Sequence, residues 1–128
     1  MAKFVADAFA WIEYLEGSER GRKAGEIIED SSNEFFTPSS TLAEVVSKFL
    51  RSKKDVRIAL NAINTLSILV NINQNIAFLA GQIHFETKKK NREFGMLDSF
   101  VAATARKLGA KILTGDPDFK GFPETVFI

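Results

Sequence analysis

Five acidic residues of this chain stand where carboxylates from distant segments are expected to meet. Asp7, Asp116 and Asp118 follow the ends of predicted strands, and Glu44 and Asp98 lie in the first turns of predicted helices. In an open α/β sheet, the strand ends and the helix starts that follow them face the same edge, where sites form. Crowded carboxylates repel one another and resist burial, and hard divalent cations relieve both problems. The spacing therefore predicts a pocket for an oxygen-ligated metal ion.

The composition narrows the chemistry of such a pocket. The chain has no cysteine and a single histidine, His84, so thiolate zinc sites and any site that needs two histidines are excluded. Oxygen ligands suit Mg²⁺, Mn²⁺ or Ca²⁺. The net charge of +1 shows no overall basic excess of the kind that by itself indicates nucleic-acid binding.

Each acid also has a purely structural interpretation. Asp7 precedes a predicted helix and suits its N-cap equally well. Thr41 and Glu44 match the S/T-x-x-E capping box, and the local pattern alone favours that box over a metal ligand. The segment Gly115-Asp116-Pro117-Asp118 consists of turn residues.

Asp98 departs most from a structural role. It shares a helix face with Val101, Ala102 and Ala105, at i+3, i+4 and i+7. These neighbours are small and apolar, so the Asp98 carboxylate is expected to face inward or into a cleft. An acid in the first turn interacts favourably with the helix dipole, but the dipole does not explain why this acid lies on the apolar face.

Strands alternate with helices along the whole chain. Apolar runs and turn residues predict strands at 4–6, 34–37, 66–72, 111–114 and 125–128. Helices are predicted at 8–15, 20–30, 41–51, 55–64, 76–89 and 96–108, with Phe9, Ile12 and Leu15 on the inner face of the first and Gly109 as the left-handed C-cap of the last. This order predicts an α/β fold with parallel strands and helices on both faces.

The 128 residues show no repeat and no linker, so we expect one domain over 1–128. The apolar run near the N-terminus is too short for a signal peptide or a membrane span, which makes a cytoplasmic location the default expectation.

Four motifs together resemble the PIN-domain nucleases, and within them the toxin ribonucleases called VapC. The motifs are Phe4-Val5-Ala6-Asp7, Ser40-Thr41-Leu42-Ala43-Glu44-Val45, Leu97-Asp98-Ser99-Phe100-Val101-Ala102-Ala103-Thr104-Ala105 and Ile112-Leu113-Thr114-Gly115-Asp116-Pro117-Asp118-Phe119. Their order and spacing are similar to the family over essentially the whole chain, and the last two are the more specific. The resemblance implies a three-layer α/β/α fold around a central, mainly parallel sheet of four to five strands.

The resemblance also implies roles for individual residues. Asp7, Glu44 and Asp98 match the three core acids of the family and Asp116 the fourth, as catalytic residues and as ligands of Mg²⁺ or Mn²⁺. The supporting positions are Thr114, which matches the hydroxyl residue before the fourth acid, and Asp118, which matches a position that is often acidic. Phe9 departs from the family, which usually has a small polar residue there, so this chain has no hydroxyl to offer at that point.

The implied activity is metal-dependent hydrolysis of RNA that leaves a 5′-phosphate and a 3′-hydroxyl. Carboxylate-bound metal would activate a water molecule and neutralise charge on the phosphate. Two basic clusters are candidate RNA contacts, with Lys48 and Arg51 in one and Lys89 and Arg92 in the other. The second cluster fits a solvated helix end just as well.

The resemblance further implies a protein partner, a VapB-like antitoxin that blocks the active site. An open acidic pocket would accept an arginine side chain. The helices at 41–51 and 55–64 carry apolar residues on more than one side, which indicates a groove for a partner helix or an interface in a homodimer or higher homo-oligomer. Two fully buried core helices would explain the same pattern.

Other classes of protein remain as alternatives. A receiver-like signalling module that binds Mg²⁺ is disfavoured because Asp7 is followed by Ala8 and Phe9, where paired acids are expected. A non-catalytic PIN scaffold would have lost a metal acid, and none is lost. DNA-cutting relatives usually carry segments beyond the length of this chain.

Overall fold

The computed structural model describes residues 2–128, and its centre is a parallel β-sheet. The strands are β1 (Lys3–Ala6), β2 (Glu34–Pro38), β3 (Ile68–Val70), β4 (Lys111–Thr114) and β5 (Thr125–Phe127). The helices are α1 (Ala8–Glu16), α2 (Glu19–Ile28), α3 (Ser39–Arg51), α4 (Val56–Leu66), α5 (Gln74–Lys88) and α6 (Met96–Leu108), with a 3₁₀ turn at Pro117–Phe119. The strand order is β3-β2-β1-β4-β5 and each neighbouring pair is parallel. The predicted α/β fold is confirmed, with five strands.

The alternation of side chains along each strand divides the interior into two cores. Phe4 and Ala6 of β1 point to one face, where they pack with α1–α4, and Val5 points to the other, where it packs with α5 and α6. Leu113 and Ile112 of β4 divide in the same way. Strands buried on both faces read as continuous apolar runs, which is why these strands are clear in the sequence.

The helix and strand that carry the late motifs have the predicted bounds. Helix α6 covers 96–108 and β4 covers 111–114, as expected. Gly109 ends α6 with φ 63°, the left-handed conformation predicted for its C-cap. Val101, Ala102 and Ala105 are buried, so the apolar face that Asp98 shares lies against the sheet.

Three local predictions were wrong. The strand predicted at 66–72 covers only Ile68–Val70, because Leu66 still belongs to α4.

The residues of α1 that are fully enclosed are Ala10 and Trp11, whereas Phe9 belongs to neither core. The Nε1 of Trp11 donates to the Thr37 hydroxyl at 3.1 Å, and this satisfied polar group allows the ring to be buried. Ile12 and Leu15 are partly buried at the edge of the same core.

The capping box predicted at Thr41 does not form. Helix α3 begins two residues earlier, at Ser39, with Pro38 as an N-cap that offers no side-chain hydrogen bond. Pro38 has φ −63° and ψ 144°, the extended conformation that its ring favours, so the strand passes directly into the helix. Thr41 is therefore inside the helix and buried, and Glu44 is not needed as a cap.

Within residues 2–128, no helix combines the length and the apolar character that crossing a membrane requires.

We expect α1 and α2 to tolerate no side chain at Gly21. A Cβ there would lie 1.9 Å from the backbone oxygen of Glu13, whereas at Gly81, in the middle of α5, nothing lies within 4 Å. Gly21→Ala should lower the free energy of unfolding by about 1–3 kcal/mol through overpacking. Gly81→Ala should raise it by roughly 0.5–1 kcal/mol because helical glycine is costly. Urea titrations read from the single tryptophan, Trp11, measure both changes; equal stability of the two variants would contradict the packing.

Candidate functional site

Asp7 is a buried carboxylate at the point where β1 ends and α1 begins. Its Oδ1 accepts a hydrogen bond from the backbone N–H of Ala10 at 2.9 Å, which makes it the N-cap of α1. Its Oδ2 accepts a 2.5 Å hydrogen bond from the hydroxyl of Thr114. Only 6% of the residue is exposed. Asp7 is therefore both the predicted cap and a group held at the carboxyl edge of the sheet.

Thr114 connects the ends of two neighbouring strands. Its hydroxyl donates to Asp7 and accepts from the backbone N–H of Asp116 at 2.9 Å. The Oδ1 of Asp116 in turn accepts from the N–H of Asp118 at 2.9 Å, so that Asp116 caps the 3₁₀ turn that follows β4. One hydroxyl thus fixes the positions of three acidic residues relative to one another.

Glu44 and Asp98 approach the same edge from helices on opposite faces of the sheet. Glu44 lies in the second turn of α3, and Asp98 in the first turn of α6. The Oδ2 of Asp98 accepts from the N–H of Gly95 at 3.0 Å and so helps to begin its helix. Both side chains are half-buried.

These acids line a single cleft, which we call the acidic cleft. Its volume is about 230 Å³ and its acidic residues are Asp7, Glu44, Asp98 and Asp116. The other lining residues are Ala8, Phe9, Ile12, Lys48, Arg51 and Val101. Each of the four acids comes from a different segment, as the sequence predicted.

Three of the carboxylates lie close enough together to share a cation. One oxygen from each of Asp98, Asp116 and Asp118 lies within 4.8 Å of the others. Opposite ligands of an octahedral Mg²⁺ ion are about 4.2 Å apart, because each metal–oxygen bond is about 2.1 Å. An all-oxygen donor set of this spacing fits Mg²⁺ or Mn²⁺.

Burial, and to a smaller extent repulsion between neighbouring acids, raises the pKa values of three carboxylates, Asp7, Glu44 and Asp98. Burial raises the pKa of Asp7 to about 7, against hydrogen bonds from Thr114 and Ala10, and with repulsion from Asp116 and Glu44 adding to it. Burial, then repulsion from Asp98 and Asp116, raises the pKa of Glu44, although Arg51 and Lys48 oppose the change.

The pKa of Asp98 is raised for the same reasons. Burial is the main cause that raises its pKa, and Asp116 and Asp118 add to it, while the hydrogen bond from Gly95 opposes it. The structure therefore holds several carboxylates in surroundings that disfavour their charged forms.

The two basic clusters lie in different places. Lys48 and Arg51 project from α3 onto the wall of the acidic cleft, where they lie beside Glu44. Lys89 forms an exposed ion pair with Glu86 at 3.4 Å and lies over the Phe85 ring. Lys89 and Arg92 are not among the residues that line the cleft.

Phe9 occupies the cleft wall where a small polar residue was expected. Its ring lies against Gly115, where a Cβ atom would come within 2.3 Å of the ring carbon Cε1. The guanidinium of Arg20 lies over the same ring, 5.6 Å from its centroid. The ring thus makes this wall apolar and requires glycine at position 115.

Sequence reasoning missed Asn91. Its Nδ2 donates to Oδ1 of Asp118 at 3.1 Å and fixes that carboxylate from the loop between α5 and α6. The two residues are 27 positions apart, and no periodicity links them. The half-buried His84 lies on α5, away from the cleft.

Comparisons with known proteins identify similar folds. The model of the PIN domain matches residues 4–124. A VapBC complex from Rickettsia felis, solved with a promoter DNA fragment, is 18% identical, with a TM-score of 0.76 over 98% of this chain and 97% of that one. A toxin–antitoxin complex from Klebsiella pneumoniae is 23% identical, with a TM-score of 0.75 over 98% and 96%.

A VapC toxin from Mycobacterium tuberculosis, described as cleaving the sarcin–ricin loop, is 20% identical, with a TM-score of 0.73 over 94% of this chain and 95% of that one. At these identities the likeness is one of fold. No protein of curated function matches the sequence.

We expect the stability of the EDTA-treated protein to fall between about pH 4 and pH 7. The pKa of Asp7 is about 7 in the folded chain against an ordinary 3.8. Well below its ordinary pKa of 3.8, Asp7 is protonated in both states. As the pH rises, the unfolded chain loses this proton first, and the folded state is disfavoured. The full effect of this one group is on the order of 4 kcal/mol.

Asp7→Asn keeps an oxygen for the Ala10 N–H but does not titrate, so its unfolding free energy should fall much less over that range. Glu26→Gln, which changes an exposed acid on α2, is the matched control and should follow the wild type. Urea unfolding at a series of pH values measures all three. Parallel curves for wild type and Asp7→Asn would contradict the assignment.

Proposed function

Because the chain belongs to the PIN-domain family, we propose that it is a metal-dependent endoribonuclease, the toxin of a VapBC-type toxin–antitoxin pair. The observation that carries the proposal is the acidic cleft, in which Asp7, Glu44, Asp98 and Asp116 meet from four segments. Four carboxylates in one small cleft cost folding free energy, and a structural role explains the caps at Asp7 and Asp98 but not their convergence. Binding of a hydrated cation explains it.

The proposed ligands are the acids already placed together. Asp98, Asp116 and Asp118 have the mutual spacing for one ion, and Asp7 and Glu44 lie on the adjoining wall. A bound Mg²⁺ or Mn²⁺ ion lowers the pKa of a coordinated water and offsets negative charge on the scissile phosphate. Asp7, Glu44, Asp98 and Asp116 are thus the proposed catalytic residues, with Thr114 and Asp118 in support.

The remaining residues of the cleft position the substrate. Lys48 and Arg51 provide positive charge on the α3 wall, beside the carboxylate of Glu44, where they would contact a phosphodiester. The hydroxyl of Thr114 holds the Asp7 carboxylate and the Asp116 backbone in register. Phe9, Ile12 and Val101 are the large apolar side chains that line the cleft.

RNA is the proposed substrate. The similar Mycobacterium tuberculosis toxin is described as cleaving the sarcin–ricin loop, which is an RNA element. Two basic side chains, Lys48 and Arg51, line the cleft, while the net charge of the whole chain is only +1. Such a distribution suits an enzyme that contacts a few phosphates near the scissile bond, and not one that coats a long duplex.

A small antitoxin is the proposed partner, and it would occupy the cleft and contact exposed apolar residues of α3, α4 and β3. The similar structures include toxin–antitoxin complexes. On this chain, Leu50, Ile58 and Leu60 of α3 and α4 are 62%, 58% and 40% exposed, and Ile68 and Leu69 of β3 lie in the same part of the fold. Exposed apolar residues in one region indicate an interface, with an antitoxin or with a second copy of the chain.

The nuclease proposal predicts activity that depends on one carboxyl group. Purified protein should cleave a structured RNA in Mn²⁺ and lose that activity in EDTA. Asp98→Asn keeps the oxygen that accepts from Gly95 but removes the charge, so kcat/KM should fall by roughly a hundredfold or more. Glu26→Gln should be fully active. Wild-type activity in Asp98→Asn, after removal of contaminating nucleases, would exclude the acidic cleft as the site.

The toxin proposal predicts an inhibitory complex. When the chain is co-expressed with the product of the neighbouring gene, the two proteins should co-purify, and the complex should have less RNase activity than the free chain. Ile58→Asp would place a charge in the exposed apolar surface and should weaken the complex without unfolding the chain. A chain that is harmless to its host and binds no such product would refute the toxin assignment while leaving the nuclease assignment in place.

A further inference from the structure

A second cavity of the described chain is separate from the acidic cleft. It lies between α5, the C-terminal part of α6 and the turn after β4, and we call it the α5–α6 groove. Its volume is about 590 Å³, within the range of roughly 300–1,000 Å³ that small-molecule sites occupy. Its apolar floor includes Leu79, Ile83 and Phe122, and its rim carries Lys90, Arg106 and Lys120.

The groove begins where the acidic cleft ends. Asp118 lines the groove, while Asp98 and Asp116 line the cleft. One carboxylate oxygen of each of these three residues lies within 4.8 Å of the others. Asn91 also lines the groove, and its hydrogen bond to Asp118 connects the two cavities. A polymeric ligand that is bound at the three acids can therefore continue directly into the groove.

The groove is lined by three basic residues, Lys90, Arg106 and Lys120, and by two acids, Glu86 and Asp118. Glu86 is paired with Lys89 at 3.4 Å. Among residues 2–128, no carboxylate lies within 4.0 Å of the ammonium group of Lys90 or Lys120, so both are available to an anion. Arg106 is paired with Glu124 at 3.3 Å and lies over the ring of Phe122, 5.3 Å from its centroid. Phe122 is buried and also stacks on Phe94, so the flat group that this stack presents to the groove is the exposed guanidinium of Arg106.

The combination of groups matches a nucleotide better than a simple anion. A flat floor of apolar and stacked groups suits a nucleobase, and the side-chain amide of Gln82 offers a donor and an acceptor for its edge, whereas the Asn91 amide already bonds to Asp118 and to the Glu93 N–H. The two free lysines suit a phosphate. An inorganic anion would use only the lysines and leave the apolar floor unexplained.

We propose that the α5–α6 groove binds a nucleotide of the RNA next to the bond that is cut in the acidic cleft. The base lies against Leu79, Ile83 and the Arg106–Phe122 stack, and a neighbouring phosphate contacts Lys90 and Lys120. This inference rests on the proposed nuclease function for its substrate class. The groove would then determine which unpaired nucleotide is accepted beside the scissile bond.

The first test measures binding without cleavage. A short single-stranded RNA is added to the full chain with Ca²⁺ in place of Mn²⁺, and lysine acetylation is mapped by mass spectrometry. Lys90 and Lys120 should be protected. Lys3 and Lys111, exposed at the starts of β1 and β4 on the opposite edge of the sheet, should not. If RNA protects neither Lys90 nor Lys120, the proposal is overturned. It is also overturned if a co-purified protein protects these lysines and RNA does not.

The second test measures cleavage by the double variant Lys90→Ala/Lys120→Ala. Its KM should rise by roughly tenfold, and the salt dependence of RNA binding should become shallower by roughly 0.7 for each phosphate that the variant no longer neutralises, while kcat is unchanged. The matched control, Lys3→Ala/Lys111→Ala, removes the same charge and should behave as wild type. An unchanged KM in the groove variant overturns the proposal.

The two proposals fail in different ways. If the wild type cuts RNA but the groove lysines are neither protected nor needed for KM, the groove inference is wrong and the nuclease assignment stands. If RNA protects the groove lysines but the wild type cuts no RNA, the groove binds RNA and the nuclease assignment is wrong.

Discussion

The site depends on one buried carboxylate, that of Asp7, which follows β1 and is hydrogen-bonded to Thr114 at the end of β4. Its two oxygens accept hydrogen bonds from the Ala10 N–H and the Thr114 hydroxyl, and these bonds stabilise its ionised form. Burial and the nearby Asp116 and Glu44 oppose that form and outweigh the hydrogen bonds, because the pKa is raised to about 7. The fold thus buries a carboxylate whose charged form it disfavours, and a cation bound in the cleft would stabilise that charged form. The same Thr114 hydroxyl orients Asp116, so the position of Asp7 and the start of the acidic turn are coupled.

The fold was predictable where side-chain pattern and backbone chemistry agree. The bounds of α6 and β4 follow from an apolar helix face, a glycine C-cap and a short run buried on both sides of the sheet. The start of α3 was not predictable from its capping motif, because Pro38 ends β2 in the extended conformation and the helix begins immediately after it. Trp11 was missed as a core residue because its burial depends on a hydrogen bond to Thr37, 26 positions away. Local patterns do not contain such contacts.

The site likewise combines residues that could be predicted from the sequence with residues that could not. The four acids of the cleft were identified from their places at strand ends and helix starts, since the parallel topology brings those places to one edge. The basic residues that line the cleft were harder to predict, because a run of lysines does not indicate which side of a helix end faces the cleft. Lys48 and Arg51 line it, whereas Lys89 pairs with Glu86 on the surface. Asn91 and the α5–α6 groove have no sequence signal, because they form only when the loop after α5 packs beside the turn after β4.

The central claim is that the carboxylates converge because they hold a divalent cation. The most direct measurement is a crystal structure of the chain grown with Mn²⁺, with anomalous diffraction data to locate the metal. The account predicts an anomalous peak within ligand distance of Asp98 and Asp116, and its disappearance or marked weakening in crystals of Asp98→Asn. A well-ordered wild-type cleft with no anomalous peak at millimolar Mn²⁺ would contradict the account.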